Sequence, residues 1–368
     1  MSPVLHLIAN GEIAVDKRLL ETLAQSSAHA RGWDVVVDWR STAHFGSVAG
    51  GTPADALVLM PGEEFDLADV MGKASLPGAP AVRFDLAARP LDPSPMLLHH
   101  LRSLALDGLP WAIAAAITGS AHPAIRSDYG RDPDQYGEWR LPTSGAHPVA
   151  IAVLVHGGYY RSKWQASLMD DLAIDLADRG WASWNLEYRR PDRDGWSATV
   201  DDLRSGVAAL ARFPQALGVP LVLFGHSAGG QLVLQLAERL QRHPMLPSVA
   251  LSVSLAGVVD LIAAHDRSLS DGAVNNALGG SPAEVPDRYR EASPSLYTTR
   301  SAPWLLVQGS DDSADLVEMN RRLAASDAVG RPELIEAPGH HFSVIDPAAA
   351  IWALTLDRVT ELLAPDHP

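Results

Sequence analysis

A turn of small residues between a strand pattern and a helix pattern constrains this chain most. The apolar run Leu221 to Phe224 is followed at positions 225–230 by Gly-His-Ser-Ala-Gly-Gly, after which an amphipathic helix pattern begins. Gly225 and Gly229 lie two residues on either side of Ser227, and glycine lets a strand and a helix approach each other closely across a sharp turn. The sequence therefore predicts that a tight turn projects Ser227 above a sheet.

A serine at such a turn sits beside backbone N–H groups that can stabilise negative charge. The first of these at the helix N-terminus belongs to Ala228. A second set is predicted after the continuous apolar run Ile151 to Val155, which is typical of a buried parallel strand and is followed closely by Gly157 and Gly158. We expect Gly157, Gly158 and Ala228 to form an oxyanion hole for a reaction at Ser227.

A serine hydroxyl becomes a good nucleophile when a histidine accepts its proton and a carboxylate orients that histidine. In the order typical of this turn motif, the acid and then the histidine follow the serine along the chain. Asp312 follows the strand pattern at 304–307, and His341 follows a short strand pattern at 333–336. The neighbouring residues Asp311 and His340 are the alternatives, and the spacing favours Asp312 and His341.

The chain from about Tyr129 to its end resembles the kynurenine formamidase-like branch of the α/β-hydrolase superfamily. The segments that carry the resemblance are His156–Arg161, Arg179–Trp181, Asn185–Arg190, Gly225–Gly230 and His341–Phe342. The resemblance implies an α/β-hydrolase fold that hydrolyses esters or aryl formamides without a metal or an organic cofactor. Tyr160 departs from the pattern, because many relatives carry tryptophan there.

Several aromatic side chains near the predicted oxyanion loop are candidates for substrate binding. They are Tyr159, Tyr160, Trp164 and Trp196, and core packing is the alternative role for each of them. The segment from Asp260 to Pro294 interrupts the rhythm of strands between two apolar runs, and we interpret it as a lid or a pocket wall.

The first third of the chain has its own alternation of strands and helices. Strand patterns cover Val4–Ile8, Val35–Val37, Ala56–Met60 and Ala81–Phe84, and helix patterns cover Leu19–His29 and Leu67–Lys73. This alternation predicts a small parallel sheet with helices on both faces. A stretch rich in Gly, Pro, Ser and Asp follows, so we place one domain at residues 1–122 and the α/β-hydrolase catalytic domain at residues 123–368.

The first domain weakly resembles a type II dehydroquinase, which has a flavodoxin-like fold, over roughly Val4 to Ile117. Ala54–Gly62 and Val82–Leu86 carry the resemblance. The catalytic residues of that family do not carry over, since Met60 stands where the family has asparagine and Asp85 where it has histidine. The resemblance therefore implies a degenerate domain that serves assembly into a homo-oligomer, the entrance of the hydrolase site, or binding.

Composition indicates a soluble enzyme. The chain of 368 residues has a net charge of −15 and no cysteine, which argues against a nucleic-acid partner and excludes thiol catalysis and disulfides. No apolar stretch is long enough to cross a membrane, and no signal peptide pattern begins the sequence, so we expect a cytoplasmic protein without a membrane partner. The adjacent pair His99-His100, expected on a surface helix, lacks the spacing of metal ligands.

These patterns together predict a serine hydrolase that cleaves a small-molecule carboxylic ester with a small acyl group through an acyl-enzyme. Two alternatives stay open at this point. One is an arylformamidase that hydrolyses an amide such as N-formylkynurenine. The other is a binding or scaffold protein that has kept a hydrolase fold without catalysis.

Overall fold

The computed structural model describes residues 2–42, 54–62, 79–88, 97–240 and 248–364. The chain divides into two compact units, Met1–Ala124 and Ile125–Pro368. Each unit has its own sheet and its own apolar core. No helix within the described ranges is long and apolar enough to cross a membrane.

The first unit contains a parallel sheet of five strands. Its elements are β1 (Val4–Asn10), α1 (Lys17–His29), β2 (Asp34–Arg40), β3 (Ala56–Met60), β4 (Ala81–Asp85), β5 (Leu97–Arg102) and α2 (Leu109–Ala121). The strands lie in the order β2-β1-β3-β4-β5, and all neighbouring pairs are parallel. The predicted helix at Leu67–Lys73 lies outside the described residues.

The prediction that His99 and His100 lie on a surface helix is wrong. Both residues belong to β5, where they pair with Val82 and Arg83 of β4, and both are buried. His100 Nε2 lies 2.7 Å from Asp85 Oδ2. Two adjacent polar residues argue against a buried strand in the sequence, but the carboxylate on the neighbouring strand satisfies the imidazole of His100.

The second unit contains a mixed sheet of eight strands. They are β6 (Ile125–Asp128), β7 (Tyr136–Arg140), β8 (Ile151–Val155), β9 (Ala182–Leu186), β10 (Leu221–His226), β11 (Val249–Leu255), β12 (Trp304–Gly309) and β13 (Glu333–Ala337). Their order is β13-β12-β11-β10-β8-β9-β7-β6. The pairs β6–β7 and β7–β9 are antiparallel and the others are parallel, which confirms the predicted α/β class with a mainly parallel sheet.

Helices connect these strands. They are α3 (Asp170–Asp178), α4 (Pro191–Asp194), α5 (Trp196–Ala208), α6 (Ala228–Leu240), α7 (Leu261–Asp266), α8 (Leu269–Leu278), α9 (Pro286–Ala292), α10 (Ala314–Ala324) and α11 (Ala350–Leu363). The segment interpreted as a lid or a pocket wall folds into α7, α8 and α9. Near its start, α8 departs from helical geometry, because Ser270, Asp271 and Gly272 have left-handed backbone angles.

The strand order brings the predicted catalytic loops to one edge of the sheet. β8 and β10 are parallel neighbours in which Val155 pairs with Gly225, so the loops that follow them are adjacent. β12 and β13 are also parallel neighbours, and Gly309 pairs with Ala337. Since the carboxyl ends of parallel strands share one edge, all four loops emerge on the same side.

Candidate active site

The turn between β10 and α6 holds Ser227 in a left-handed backbone conformation with φ of 56°. Such a conformation is costly for a residue with a side chain and is kept where the surrounding structure determines it. A Cβ atom on Gly225 would lie 2.0 Å from the carbonyl oxygen of Gly229, and one on Gly229 would lie 2.1 Å from the carbonyl oxygen of Val155. Both glycines are therefore required by close backbone contacts.

The loop after β8 lies directly against this turn. A Cβ atom on Gly157 would be 2.8 Å from the Cβ of Ser227, and one on Gly158, whose φ is 119°, would be 2.4 Å from Cδ1 of Trp164. Within the described residues, the backbone N–H groups of Gly157, Gly158 and Ala228 donate no hydrogen bond to the protein. The structure thus places three backbone donors next to the serine turn.

The loops after β12 and β13 bring Asp312 and His341 together. Asp312 Oδ2 lies 2.8 Å from His341 Nδ1, which leaves Nε2 as the nitrogen that can serve as a base. Asp311 instead accepts a hydrogen bond of 3.0 Å from the backbone N–H of Gly339. His340 accepts a bond through Nδ1 from a backbone N–H of its own loop. Of the two adjacent pairs, the contact therefore joins Asp312 and His341.

Further hydrogen bonds hold the carboxylate of Asp312. Gln308 donates from Nε2 to Oδ2 at 3.1 Å, and the backbone N–H of Ser313 donates to Oδ1 at 2.6 Å. Burial pushes the pKa of Asp312 upward, but the bonds from His341, Ser313 and Gln308 outweigh burial and leave the pKa below its ordinary value. The carboxylate is therefore ionised at neutral pH.

Ser227 and His341 line the same cavity, which has a volume of about 240 Å³. The lining residues are Gly158, Tyr159, Arg161, Lys163, Trp164, Leu168, His226, Ser227, Ser270, His341 and Phe342. Ser270 belongs to α8, so the segment at 260–294 does contribute to the wall. The lining offers two imidazoles and no carboxylate, which is too few ligands for a zinc or magnesium site.

Two of the four aromatic residues considered for substrate binding lie in the core instead. Tyr160 is 3% exposed and Trp196 is 7% exposed, and their ring centroids are 5.5 Å apart. The hydroxyl of Tyr160 donates to Gln231 Oε1 at 2.9 Å, and burial raises the pKa of this tyrosine well above its ordinary value. Both residues pack under the loop, whereas Tyr159 and Trp164 face the cavity.

His226 is a residue of this site that sequence reasoning missed. It is fully buried, its ring lies 4.7 Å from the ring of His341, and its Nε2 lies 3.0 Å from the carbonyl oxygen of His341. Burial, and then the nearby His341, lower the pKa of His226 to about 3, so it is neutral and donates this bond from Nε2. Its position beside Ser227 in the Gly-His-Ser turn was the available signal.

A buried ionic cluster lies behind the oxyanion loop. It consists of Glu187, His156, Arg190 and Asp134. Glu187 Oε1 lies 3.2 Å from His156 Nε2 and also contacts Arg190 Nη1, and Arg190 Nη2 lies 2.9 Å from Asp134 Oδ2. Burial alone would raise the pKa of Glu187, but Arg190 and His156 lower it to about 2. His156 therefore braces the loop from a fully buried position.

The chain matches the BD-FAE family over residues 139–325, just over half of its length. It is 27% identical over 263 residues to the Mycobacterium tuberculosis esterase LipC, covering 63% of this chain and 64% of that protein. It is also 24% identical over 148 residues to a kynurenine formamidase from Salmo salar, covering 39% of this chain and 49% of that protein.

A solved structure of a bacterial heroin esterase has the same fold. It aligns with a TM-score of 0.52 and 21% sequence identity, and the alignment covers 65% of this chain and 82% of that protein. The matches to the two curated relatives span less than two thirds of either relative. These likenesses confirm the expected hydrolase fold.

Proposed function

The chain belongs to the BD-FAE family, and from this premise we propose that it is a serine hydrolase that cleaves a carboxylic ester with a small acyl group. One observation carries the proposal. The Asp312–His341 hydrogen bond stands beside the cavity that Ser227 and His341 both line. This arrangement brings together an acid, a base and a strained serine, which are the three roles of a catalytic triad.

In the proposed mechanism, Ser227 Oγ attacks the carbonyl carbon of the ester while His341 Nε2 takes the hydroxyl proton. The backbone N–H groups of Gly157, Gly158 and Ala228 stabilise the negative charge on the former carbonyl oxygen. The tetrahedral intermediate then collapses, the C–O bond to the alcohol breaks, and His341 gives its proton to the leaving oxygen. Water, activated by the same imidazole, hydrolyses the acyl-enzyme and restores Ser227.

The size of the cavity supports a small acyl group. The cavity has a volume of about 240 Å³. Ligand sites for drug-sized molecules usually measure roughly 300–1,000 Å³. The aromatic rings of Trp164 and Phe342, whose centroids lie 6.5 Å apart, provide apolar surface in this limited space.

A second candidate activity is the hydrolysis of an aryl formamide. The similarity to a kynurenine formamidase favours it, and the same acyl-transfer machinery would serve, since formyl is the smallest acyl group. A panel of p-nitrophenyl esters of increasing acyl length, measured beside N-formylkynurenine, separates the two activities. We expect p-nitrophenyl acetate to give the higher kcat/KM.

The decisive experiment compares two serine variants. In Ser227→Ala we expect loss of p-nitrophenyl acetate hydrolysis and of covalent labelling by a fluorophosphonate probe, because the attacking oxygen is gone. The matched control is Ser205→Ala, which removes the same atom from an exposed position on α5 and leaves both readouts intact.

Two results would contradict the proposal. Near-normal turnover in Ser227→Ala would remove this serine from the mechanism. Absence of both labelling and turnover in the wild-type protein would favour the alternative of a non-catalytic binding or scaffold protein.

We further propose that residues 1–122 form a flavodoxin-like domain without dehydratase activity that serves the hydrolase structurally. The strand order β2-β1-β3-β4-β5 supports the flavodoxin-like assignment. Asp85, which replaces the histidine of type II dehydroquinases, is engaged by Arg83 at 2.6 Å and by His100. Measurable conversion of 3-dehydroquinate by the full chain would refute this assignment.

A further inference from the structure

The candidate cavity carries two positive side chains and no negative one. Arg161 and Lys163 are among its eleven lining residues, and none of the eleven is an aspartate or a glutamate. This contrasts with the chain as a whole, whose net charge is −15. Positive side chains concentrated at the site where a substrate would react indicate that the substrate carries negative charge.

Other arginines close in sequence are neutralised by carboxylates. Arg189 lies 2.8 Å from Asp202, and Arg190 and Arg193 each lie 2.9 Å from Asp134. These guanidinium groups stabilise the fold and have little to offer a ligand.

Carboxylates neutralise the two cations of the cavity, Arg161 and Lys163, much less than they neutralise these arginines. Arg161 donates from Nη2 to the carbonyl oxygen of Ser270, and its nearest carboxylate is that of Asp271, 4.0 Å away with a side chain that is 97% exposed. Lys163 Nζ lies 5.9 Å from the ring centroid of Trp164, and within the described chain it forms no salt bridge. Both side chains keep N–H donors for a ligand.

The backbone explains why both cations reach the cavity. Gly158, Tyr159 and Tyr160 have φ of 119°, 47° and 62°, so three successive residues turn in the left-handed sense. The turn leads the chain from the oxyanion glycines to Arg161 and Lys163, which then line the same cavity as Ser227. The positive charges are therefore placed beside the reacting centre by the same loop that supplies the oxyanion donors.

We propose that this cavity selects ester substrates that carry a carboxylate, an inference that rests on the proposed function. The planar guanidinium of Arg161 matches the geometry of a carboxylate, and the ammonium of Lys163 adds a second donor. Both groups are partly buried beside the aromatic rings of Trp164 and Phe342, where charge–charge attraction is screened less than in water. A neutral ester of equal size gains neither contact.

The test uses two substrates of nearly the same shape, 3-acetoxybenzoate and 3-acetoxybenzamide, which differ mainly in charge. For each protein, the measured quantity is the ratio of kcat/KM for the benzoate to kcat/KM for the benzamide. In Lys163→Met we expect this ratio to fall about fivefold, because the ammonium is removed while most of the apolar stem is kept. Lys163→Arg should restore most of the ratio.

The control is Lys17→Met, which makes the same change of charge on α1, outside the residues that line the cavity. It should leave the ratio unchanged. Arg161→Gln is an independent second test of the ratio. Because the ratio compares two substrates on the same protein, a general change of activity caused by losing the contact with Ser270 does not affect it.

An unchanged ratio in both Lys163→Met and Arg161→Gln, with both substrates turned over, would overturn the inference. So would wild-type protein that hydrolyses the benzamide faster than the benzoate. If neither substrate is hydrolysed, labelling of Ser227 by a fluorophosphonate decides between two failures. A labelled serine overturns only the substrate class, whereas an unlabelled serine overturns the proposed function as well.

Discussion

Glu187→Gln should be among the most damaging single substitutions in the hydrolase unit. The neighbours of Glu187 lower its pKa from 4.5 to about 2 in the folded protein, despite complete burial. Each unit of pKa is worth about 1.4 kcal/mol, so the ionised carboxylate stabilises the fold by about 3 kcal/mol. Breaking a buried ion pair from one side typically costs about 3–5 kcal/mol, which agrees with this magnitude.

The same substitution should slow catalysis. Glu187 binds His156 on one side and accepts a hydrogen bond of 2.9 Å from the backbone N–H of Ala166 on the other. His156 directly precedes Gly157 and Gly158, so loosening the carboxylate displaces the proposed oxyanion donors. Losing one such donor costs on the order of 100- to 1,000-fold in kcat. We therefore expect Glu187→Gln to lower kcat by at least tenfold under conditions where it is folded.

Urea unfolding at pH 7, followed by tryptophan fluorescence and by residual esterase activity, measures the change in stability. The matched control is Glu291→Gln, which removes the same charge from a side chain that is 65% exposed and paired with Arg239, and it should cost less than about 1 kcal/mol. The pH dependence gives a second check. Because the folded pKa of Glu187 is lowered, its stabilisation is complete above pH 4.5 and is lost as the pH falls towards 2.

Glu187 does not have this role if the free energy of unfolding of Glu187→Gln lies within 1 kcal/mol of the wild-type value and the variant keeps at least a third of the wild-type kcat. An equally steep loss of stability between pH 4.5 and 2 in the variant and in the wild type would also contradict this role, since the titrating carboxylate is then a different one.

Three further outcomes are expected. Asp312→Asn should lower kcat on the order of 10³- to 10⁴-fold, whereas Asp311→Asn should lower it less than tenfold, and a reversed ranking would exchange their roles. Gly158→Ala should lower kcat/KM about 100-fold, because its Cβ would overlap the indole ring of Trp164. The control is Gly180→Ala, which measures the backbone strain alone, since Gly180 has φ of 85° and an added Cβ would meet no atom within 4 Å. In the wild type, His226 stays neutral down to about pH 3 when folded but takes up a proton near pH 6.5 when unfolded, so the protein loses stability as the pH falls between these values. His226→Gln should make this loss smaller. Equal pH dependence of the unfolding free energy in urea titrations of the two proteins would contradict this.

Local patterns predicted the strands and the serine turn well, because short apolar runs bounded by turn residues suffice for a parallel strand. Ile151–Val155 and Ala56–Met60 form strands at the predicted residues, and Ser227 lies at the predicted turn. The spacing after β12 also singled out Asp312, whose contact with His341 joins loops 29 residues apart. In these cases the order of strands in the sheet brings the loops together, since the carboxyl ends of neighbouring parallel strands lie side by side.

The environments that tertiary packing creates around side chains could not be predicted from such local patterns. β5 contains His99 and His100, and the sequence does not show that the neighbouring strand supplies Asp85 to one of them. Tyr159 and Tyr160 are adjacent, yet one faces the cavity and the other is buried beside Gln231. In a turn with left-handed residues, the direction of each side chain depends on φ and ψ, which no periodicity encodes.

The close contacts around Ser227 divide this site into a part that can change during evolution and a part that cannot. A Cβ atom added to Gly225 or Gly229 would lie only 2.0 or 2.1 Å from a backbone oxygen, so no side chain can be added at either position without rebuilding the turn. Arg161, Lys163, Trp164 and Ser270 lie outside this turn and line the cavity. Substitution of these four residues is therefore expected to change substrate preference and to leave the turn at Ser227 intact, which makes them the positions to randomise when the specificity of the proposed hydrolase is redesigned.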